Sequence, residues 1–209
     1  MAKVSDAHLA ARRRSIVMAA CSVFSRKGVE SATMAEIAAE AGLSPGAIYR
    51  YFENKEELAK GCMGENAHEL EQQWQHAPGP AAAADAMGEF SRLSRLTFSN
   101  LNEPDEAFHS LLMLEQILIG VREGGTRLAE MRDGFALTRD GICQRLEIAR
   151  QAGQLPRGMK PAFVAAALFS FYMGARVCKL VDPELDTDGQ LDQIMALLPA
   201  ITPAQPATV

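Results

Sequence analysis

Apolar residues recur every three to four positions along most of the chain, which is the period of an amphipathic α-helix. The first apolar stripe predicts a helix from about Asp6 to Lys27, ended by Gly28. Its apolar positions are Ile16, Ala19, Ala20, Val23 and Phe24. No alternating run of β-branched residues reaches the length of a strand. The pattern therefore predicts an all-α fold.

Shorter helices with clear boundaries follow. The sequence Thr33-Met34-Ala35-Glu36 is a capping box, so a second helix begins there and stops at Gly42. Ser44-Pro45 supplies an N-cap and a favourable first residue for a third helix that ends near Phe52. Asn54 then caps a fourth, longer helix.

The remainder of the chain predicts five more helices, which gives about nine in total. They cover Ala81–Leu101, Glu106–Val121, the residues after Gly124-Gly125 through Gln151, Pro161–Leu180, and Thr187 or Asp188 to about Leu198. We divide the chain into an N-terminal domain, residues 1–55, and a C-terminal domain, residues 56–209.

Charge is distributed unevenly between these two domains. The chain has 209 residues, 48% of them hydrophobic and 22% charged, which is ordinary globular composition. Its net charge is −5, but residues 1–55 carry 8 Lys and Arg against 5 Asp and Glu, whereas the rest carries 13 against 21. The basic end favours a polyanionic partner. Arg12, Arg13 and Arg14 supply much of that excess, and their simpler interpretation is a solvated helix face.

Membrane, secretory and metal-binding roles are not expected. The longest charge-free apolar run, Pro161 to Ala175, has 15 residues, against the roughly 20 that a membrane span needs. The N-terminus lacks the apolar segment of a secretory signal. His68 and His76 lie eight positions apart, which does not suit a metal site on one helix turn. We therefore expect a cytoplasmic protein with no membrane association, no metal and no cofactor.

The cysteines predict neither a zinc site nor a disulfide. Cys21, Cys62, Cys143 and Cys178 are scattered, and no CxxC pair occurs. Lone cysteines of this kind are usually buried hydrophobic residues, so a redox role for Cys21 or Cys143 is the less favoured alternative.

Residues 33–52 carry the clearest functional pattern. Two short helices joined by Ala41-Gly42-Leu43-Ser44 fit a helix-turn-helix. The turn that follows, Pro45-Gly46-Ala47, has little side-chain bulk, so its backbone can approach DNA closely. Ile48 and Phe52 are expected to point to the core. The candidate DNA-binding residues are Thr33, Ser44, Pro45, Gly46, Ala47, Tyr49, Arg50, Tyr51 and Lys55. The alternative is an ordinary helical hairpin in which the tyrosines only pack.

The segment from Ile16 to Leu58 resembles the DNA-binding domain of TetR/AcrR transcriptional regulators. The matching positions are Ala20, Phe24, Gly28, Thr33, Ile37, Ala38, Ala41-Gly42-Leu43-Ser44, Gly46, Ile48-Tyr49, Tyr51-Phe52 and Lys55-Glu56-Glu57-Leu58. The resemblance implies a homodimer on a palindromic double-stranded DNA operator, mostly as a repressor released by a small ligand. It also implies DNA contacts from Thr33, Ser44, Gly46, Ala47, Tyr49, Tyr51 and Lys55. Pro45 stands where such proteins often have lysine, which leaves sequence preference more dependent on Ala47, Tyr49 and Arg50.

The second domain is expected to dimerise and to bind the effector. The helices 161–180 and 187–198 are the dimerisation candidates, with Ala165, Ala166 and Gly174 for close approach and Leu168, Phe171 and Leu197 for bulk. The alternative is that helix 161–180 is simply the core of the domain. The candidate ligand-binding residues are Trp74, Phe90, Phe98, Phe108, Met113, Gln116, Phe135, Phe169, Tyr172 and Met173. Their alternative role is core packing. Glu115, Gln116 and Arg176 are expected to turn outward, and the alternative is that they anchor the ligand.

The resemblance thus implies a ligand-responsive repressor, and the apolar candidate site favours a lipophilic effector. An activator or a ligand-independent regulator is the alternative within the same fold. An enzyme is disfavoured, because no nucleophile–base pair, phosphate loop or metal cluster is evident in the sequence.

Overall fold

The computed structural model describes residues 6–64, 85–156 and 158–200, and these contain helices and connecting turns but no strand. The chain divides into two compact units. The first, called the head here, comprises Met1–Glu69 and Leu111–Met113, and the second, called the body, comprises Leu70–Ser110 and Leu114–Val209. The predicted all-α fold is confirmed.

The head contains α1 (Asp6–Lys27), α2 (Met34–Glu40), a 3-10 helix η1 (Ile48–Arg50) and α3 over residues 55–64. Its core is built from the apolar faces that the sequence predicts. The fully enclosed side chains there include Ile16, Ala20, Phe24, Ile37, Ala38, Ile48 and Leu58.

One predicted element of the head is different in the structure. Residues 45–47 form a turn and only Ile48–Arg50 is helical, as a single 3-10 turn, so the predicted α-helix from Pro45 to Phe52 is wrong. The hydrogen bonds are mostly of the i→i−3 kind, for example from Tyr51 N–H to Ile48 C=O at 2.9 Å. A segment this short recovers little of the cost of helix nucleation, and Gly46 lowers its helix propensity further.

The head also contains a disulfide that the sequence pattern does not predict. Cys21 of α1 and Cys62 of α3 are paired, with their Cα atoms 5.7 Å apart and 41 positions apart in sequence. The expectation of unpaired cysteines is therefore wrong for this pair. The spacing of cysteines along the chain does not reveal this pair, because the two residues are brought together by helices that are far apart in sequence. Cys143 and Cys178 are free thiols.

The body is formed by α4 (Ala86–Ser99), a 3-10 turn η2 (Asn100–Asn102), α5 (Glu106–Glu123), α6 (Gly125–Gln151), α7 (Pro161–Val181) and α8 (Thr187–Ala200). These bounds agree with the predicted helices to within a few residues, apart from residues 81–84, which lie outside the described part. Its core joins side chains of α4, α6, α7 and α8, among them Phe90, Phe98, Leu146, Ala149, Ala165, Leu168 and Leu191.

Candidate nucleic-acid interface

The start of α2 is held by the predicted capping box. The Thr33 hydroxyl accepts a hydrogen bond from Glu36 N–H at 3.2 Å, and the Glu36 carboxylate accepts from Thr33 N–H at 3.0 Å. Lys27, at the end of α1, also donates to the Glu36 carboxylate. Its hydrogen bond and those from Thr33 lower the pKa of Glu36 to about 2. The exposed Thr33 side chain is thus fixed in direction.

The turn after α2 requires its glycine. Gly42 has φ +64, in the left-handed region, and its N–H donates to Ala39 C=O at 3.1 Å. Leu43 N–H donates to Ala38 C=O at 2.7 Å, which completes a Schellman motif. This motif ends α2 sharply and directs the chain toward Ser44.

The segment that follows presents a row of accessible groups on a buried support. Ile48 is fully buried and Phe52 is 3% exposed, as predicted, whereas Tyr49 between them is 57% exposed. The exposed candidate residues of this segment are Ser44, Pro45, Gly46, Tyr49 and Arg50, and Ala47 and Tyr51 are partly exposed. A hydroxyl-bearing and cationic surface beside a helix-turn-helix turn can reach DNA phosphates and base edges.

Arg13 holds this segment from the α1 side. Its guanidinium donates to the carbonyl of Tyr51, forms an ion pair with Glu57 at 2.9 Å, and lies 4.2 Å from the centre of the Phe52 ring. The Glu57 carboxylate also accepts from Glu53 N–H at 2.8 Å, and these contacts lower its pKa. Sequence reasoning missed this role, because three consecutive arginines look alike until the fold separates them.

Lys55 is engaged within the head. Its ammonium donates to the carbonyls of Val29 and Glu30, at 2.8 and 2.7 Å. Those carbonyls belong to the connection between α1 and α2, so Lys55 ties α3 to that connection. An ammonium has three donors, and these two bonds use two of them.

The aromatic residues predicted to line a ligand site are only partly brought together in the body. The Phe98 ring lies 5.1 Å from that of Phe171 and 5.3 Å from that of Tyr172, and the Phe135 and Phe169 rings are 5.2 Å apart. Phe90 is 1% exposed within the core. Phe108 and Met173 are partly exposed, and Met113 is buried in a segment assigned to the head. Trp74 and both candidate metal-site histidines, at positions 68 and 76, lie outside the described residues.

Two polar residues expected to turn outward are instead buried in the body. Arg176 is 8% exposed and forms an ion pair with Glu106 at 2.6 Å, and Ser110 donates to the same carboxylate at 2.9 Å. Gln116 is 7% exposed and accepts from Arg127 at 3.1 Å. Partners on other helices compensate their desolvation, which the pattern of a single helix cannot reveal. Glu115 is exposed, as expected.

Burial raises the pKa of the neighbouring Tyr172 to about 12. The Arg176 guanidinium lies 5.7 Å from the centre of its ring and opposes part of that rise. The phenol therefore stays protonated at any physiological pH.

Helix α7 divides its apolar residues between two faces. Ala165 and Leu168, predicted to form a subunit interface, are 1% and 8% exposed within the body's own core, so that assignment is wrong. The opposite face leaves Phe163 71% exposed and Val181 87% exposed. The helix has 21 residues, so it is long and apolar enough to cross a membrane by length and composition alone. The charge-free run of 15 residues counted in the sequence is shorter, because it ends at Ala175.

Comparison with known proteins agrees with this geometry. Residues 16–62, which include the C-terminal half of α1, α2 and η1, match the family described as bacterial regulatory proteins, tetR family. The HTH-type transcriptional regulator TtgR of Pseudomonas putida is 28% identical over 168 residues, 78% of this chain and 77% of that protein. SmeT, the repressor of the Stenotrophomonas maltophilia multidrug efflux pump SmeDEF, superposes with a TM-score of 0.69 at 23% identity, covering 94% of this chain and 96% of that chain. A SmeT–triclosan complex matches at 25% identity and a TM-score of 0.66, covering 95% and 99%.

The fold and the exposed turn define a helix-turn-helix regulator of transcription, a class of DNA-binding proteins and not of enzymes. Within that class residues 16–62 carry the TetR-family domain, which confirms the resemblance drawn from the sequence.

Proposed function

We propose that the protein is a ligand-responsive repressor that binds a palindromic operator as a homodimer through the head. The carrying observation is the exposed row around Tyr49, supported from beneath by Ile48 and Phe52. The contact residues are Thr33, Ser44, Pro45, Gly46, Ala47, Tyr49, Arg50, Tyr51 and Lys55. The functional division between residues 1–55 and 56–209 is part of the same proposal, as is a cytoplasmic location.

The exposed apolar face of α7 supports dimerisation. Phe163 and Val181 lie on α7, and Leu197 of α8 is 60% exposed, so a second copy has apolar surface to cover. A dimer places two heads on one duplex, and the two-fold symmetry of the protein then matches an inverted repeat in the DNA.

Release by a small lipophilic molecule is supported by two observations. The body contains clustered aromatic side chains around Phe98 and Tyr172, and its relative SmeT is known in complex with triclosan. An effector acts by binding one body conformation better than another, and it lowers operator affinity only by that difference. The proposed ligand-binding residues are Trp74, Phe90, Phe98, Phe108, Met113, Gln116, Phe135, Phe169, Tyr172 and Met173.

Selection from a random-sequence duplex pool tests the DNA arm. Full-length protein should enrich an inverted repeat with half-site centres about one helical turn, or a multiple of it, apart. Tyr49→Ala should weaken binding to the selected duplex by about tenfold or more, since one lost contact costs roughly 1–3 kcal/mol. Met18→Ala is the matched control, because Met18 is 52% exposed in the same unit but lies on α1. Equal loss in both variants, or an enriched site without symmetry, would contradict the proposal.

A thermal-shift screen tests the effector arm. The probes are small lipophilic compounds, with triclosan among them, added to the full chain. A compound that raises the unfolding temperature should also weaken binding to the selected duplex. If stabilising compounds leave DNA affinity unchanged, the ligand-independent alternative is correct, and if they strengthen binding, release by effector is wrong.

A further inference from the structure

The disulfide between Cys21 and Cys62 lies in the head and has no part in the DNA contacts proposed above. It joins α1, which carries Cys21, to α3, which carries Cys62. The Cα separation of 5.7 Å is in the middle of the range that unstrained disulfides occupy. The backbone of the two helices therefore already places these residues for bonding.

A close crossing of α1 and α3 creates this placement. A Cβ added at Gly61 would lie 2.8 Å from a methyl group of Val17, which is closer than real contacts allow. Gly61 is thus needed for α3 to approach α1 at the turn that carries Cys62. The Cys62 sulfur lies 3.6 Å from the Val17 carbonyl oxygen, so an acceptor is within reach of the thiol once the bond is reduced.

The two sulfur-bearing residues differ in their access to solvent. Cys62 is 1% exposed, whereas Cys21 is partly exposed. Oxidation by a dissolved reagent begins at the accessible thiol, because susceptibility follows thiolate character and exposure. The enclosed partner is then positioned to resolve the first product.

We propose that Cys21 and Cys62 form a reversible, peroxide-reactive thiol pair in which Cys21 reacts first and Cys62 resolves. The Cys21 thiolate attacks one oxygen of hydrogen peroxide, the O–O bond breaks, and Cys21 sulfenic acid and hydroxide form. The Cys62 thiolate then attacks the Cys21 sulfur, the S–S bond forms, and a second hydroxide leaves. The two thiol protons convert both hydroxides to water, so two thiols and one peroxide give one disulfide and two water molecules. A dithiol reductant reverses the reaction by exchange.

Closure of the pair stabilises the head by restricting its unfolded chain. The residues are 41 positions apart, so the bond removes the freedom of a long loop that includes α2 and η1. For a chain of this size the expected rise in the unfolding temperature is on the order of 10 °C. The consequence for DNA rests on the proposed function: near the unfolding midpoint of the reduced protein, about half of its heads are unfolded, whereas the oxidised protein keeps a folded head.

The chemical test uses the full chain carrying Cys143→Ser and Cys178→Ser, which leaves only the two thiols in question. Reduced protein treated with hydrogen peroxide should lose both thiols and yield one intramolecular Cys21–Cys62 peptide pair by mass spectrometry. Adding Cys62→Ser should leave Cys21 as a sulfenic acid that dimedone traps. Adding Cys21→Ser should leave Cys62 unmodified over the same time. Both thiols surviving peroxide, or faster trapping at Cys62 than at Cys21, would overturn the proposal.

The stability test compares oxidised and reduced forms of the same protein. The unfolding temperature should rise on oxidation, return on reduction, and stay unchanged in the variant that also carries Cys21→Ser. An equal rise in that variant would overturn the role of the bond. Binding to a generic labelled duplex at low salt separates the two proposals. If the disulfide forms but neither form binds DNA, the proposed regulator function is wrong. If the protein binds DNA but the disulfide does not form, the proposal of a peroxide-reactive thiol pair is wrong.

Discussion

The head and the body both have exposed ion pairs, and the body also has a buried one. In the head, Arg26–Glu40 and Arg13–Glu57 join side chains that are each roughly two-fifths or more exposed. In the body, the side chains of Arg176 and Glu106 are only 9% and 7% exposed. Exposed pairs are each worth little, whereas removing one partner of a buried pair leaves an uncompensated charge. The head therefore uses exposed polar contacts to direct short segments, whereas the body also encloses the Arg176–Glu106 pair.

The largest expected effect is in the body. Glu106→Gln should lower the free energy of unfolding by about 3–5 kcal/mol, because it leaves the Arg176 guanidinium buried without its counter-ion. Urea unfolding of the full chain measures it. Glu147→Gln is the matched control, since its pair with Arg150 on α6 is exposed and its loss should change the stability little. Equal losses in the two variants would remove the distinction between buried and exposed pairs.

The next largest effect is expected in the head, where α3 lies close to α1 at Gly61. Gly61→Ala should destabilise the reduced protein by about 1–3 kcal/mol, because the new methyl group meets the Val17 side chain. Gly64→Ala on the same helix is the control, since a Cβ there meets nothing within 4 Å. A helix gains propensity from either alanine, so Gly64→Ala should be neutral or stabilising. If both variants behave alike, α1 and α3 are not in close contact in solution.

The capping box should contribute less. Thr33→Ala removes the acceptor for Glu36 N–H and should cost about 1 kcal/mol. Thr33→Ser keeps the hydroxyl and should recover most of that loss. Urea unfolding compares the three proteins, and an alanine variant as stable as the serine variant would show that the cap does not hold α2.

The smallest expected effect is a dependence of stability on pH in the acid range. The pKa of Glu36 is lowered from 4.5 to about 2, chiefly by the Lys27 hydrogen bond, so folding is favoured by its charge above pH 4.5. That contribution is lost as the pH falls from 4.5 toward 2. The difference in unfolding temperature between the wild type and Glu36→Gln should therefore shrink over this interval. A difference that is constant with pH would show that the carboxylate charge does not contribute.

Local signals predicted most of the helices. Thr33, Gly42 and Asn54 act through neighbours a few positions away, so their effects can be inferred from the chain itself. Asn54, for example, accepts from Glu57 N–H at 2.9 Å, as its N-cap position predicts. The capping residues and the apolar stripes together determined where α1 and α2 begin and end.

Long-range partners account for what the sequence did not predict. Arg176 is buried because Glu106 and Ser110 are present on another helix, and Cys21 is paired because α3 approaches α1. The predicted α-helix after Pro45 is wrong for a different reason. Its capping signals suit a helix, but the segment is too short to offset the free-energy cost of helix nucleation. The exposure of Tyr49 agrees with the sequence prediction. Its contact with DNA stays a prediction.

The two carbonyl bonds of Lys55 have a consequence for how tightly the head could hold a phosphate. A free lysine side chain sacrifices many rotamers when it grips an anion, and that loss subtracts from affinity. Here the ammonium is already anchored at Val29 and Glu30, with one proton still to share. Most of the ordering is therefore completed during folding, before any duplex arrives.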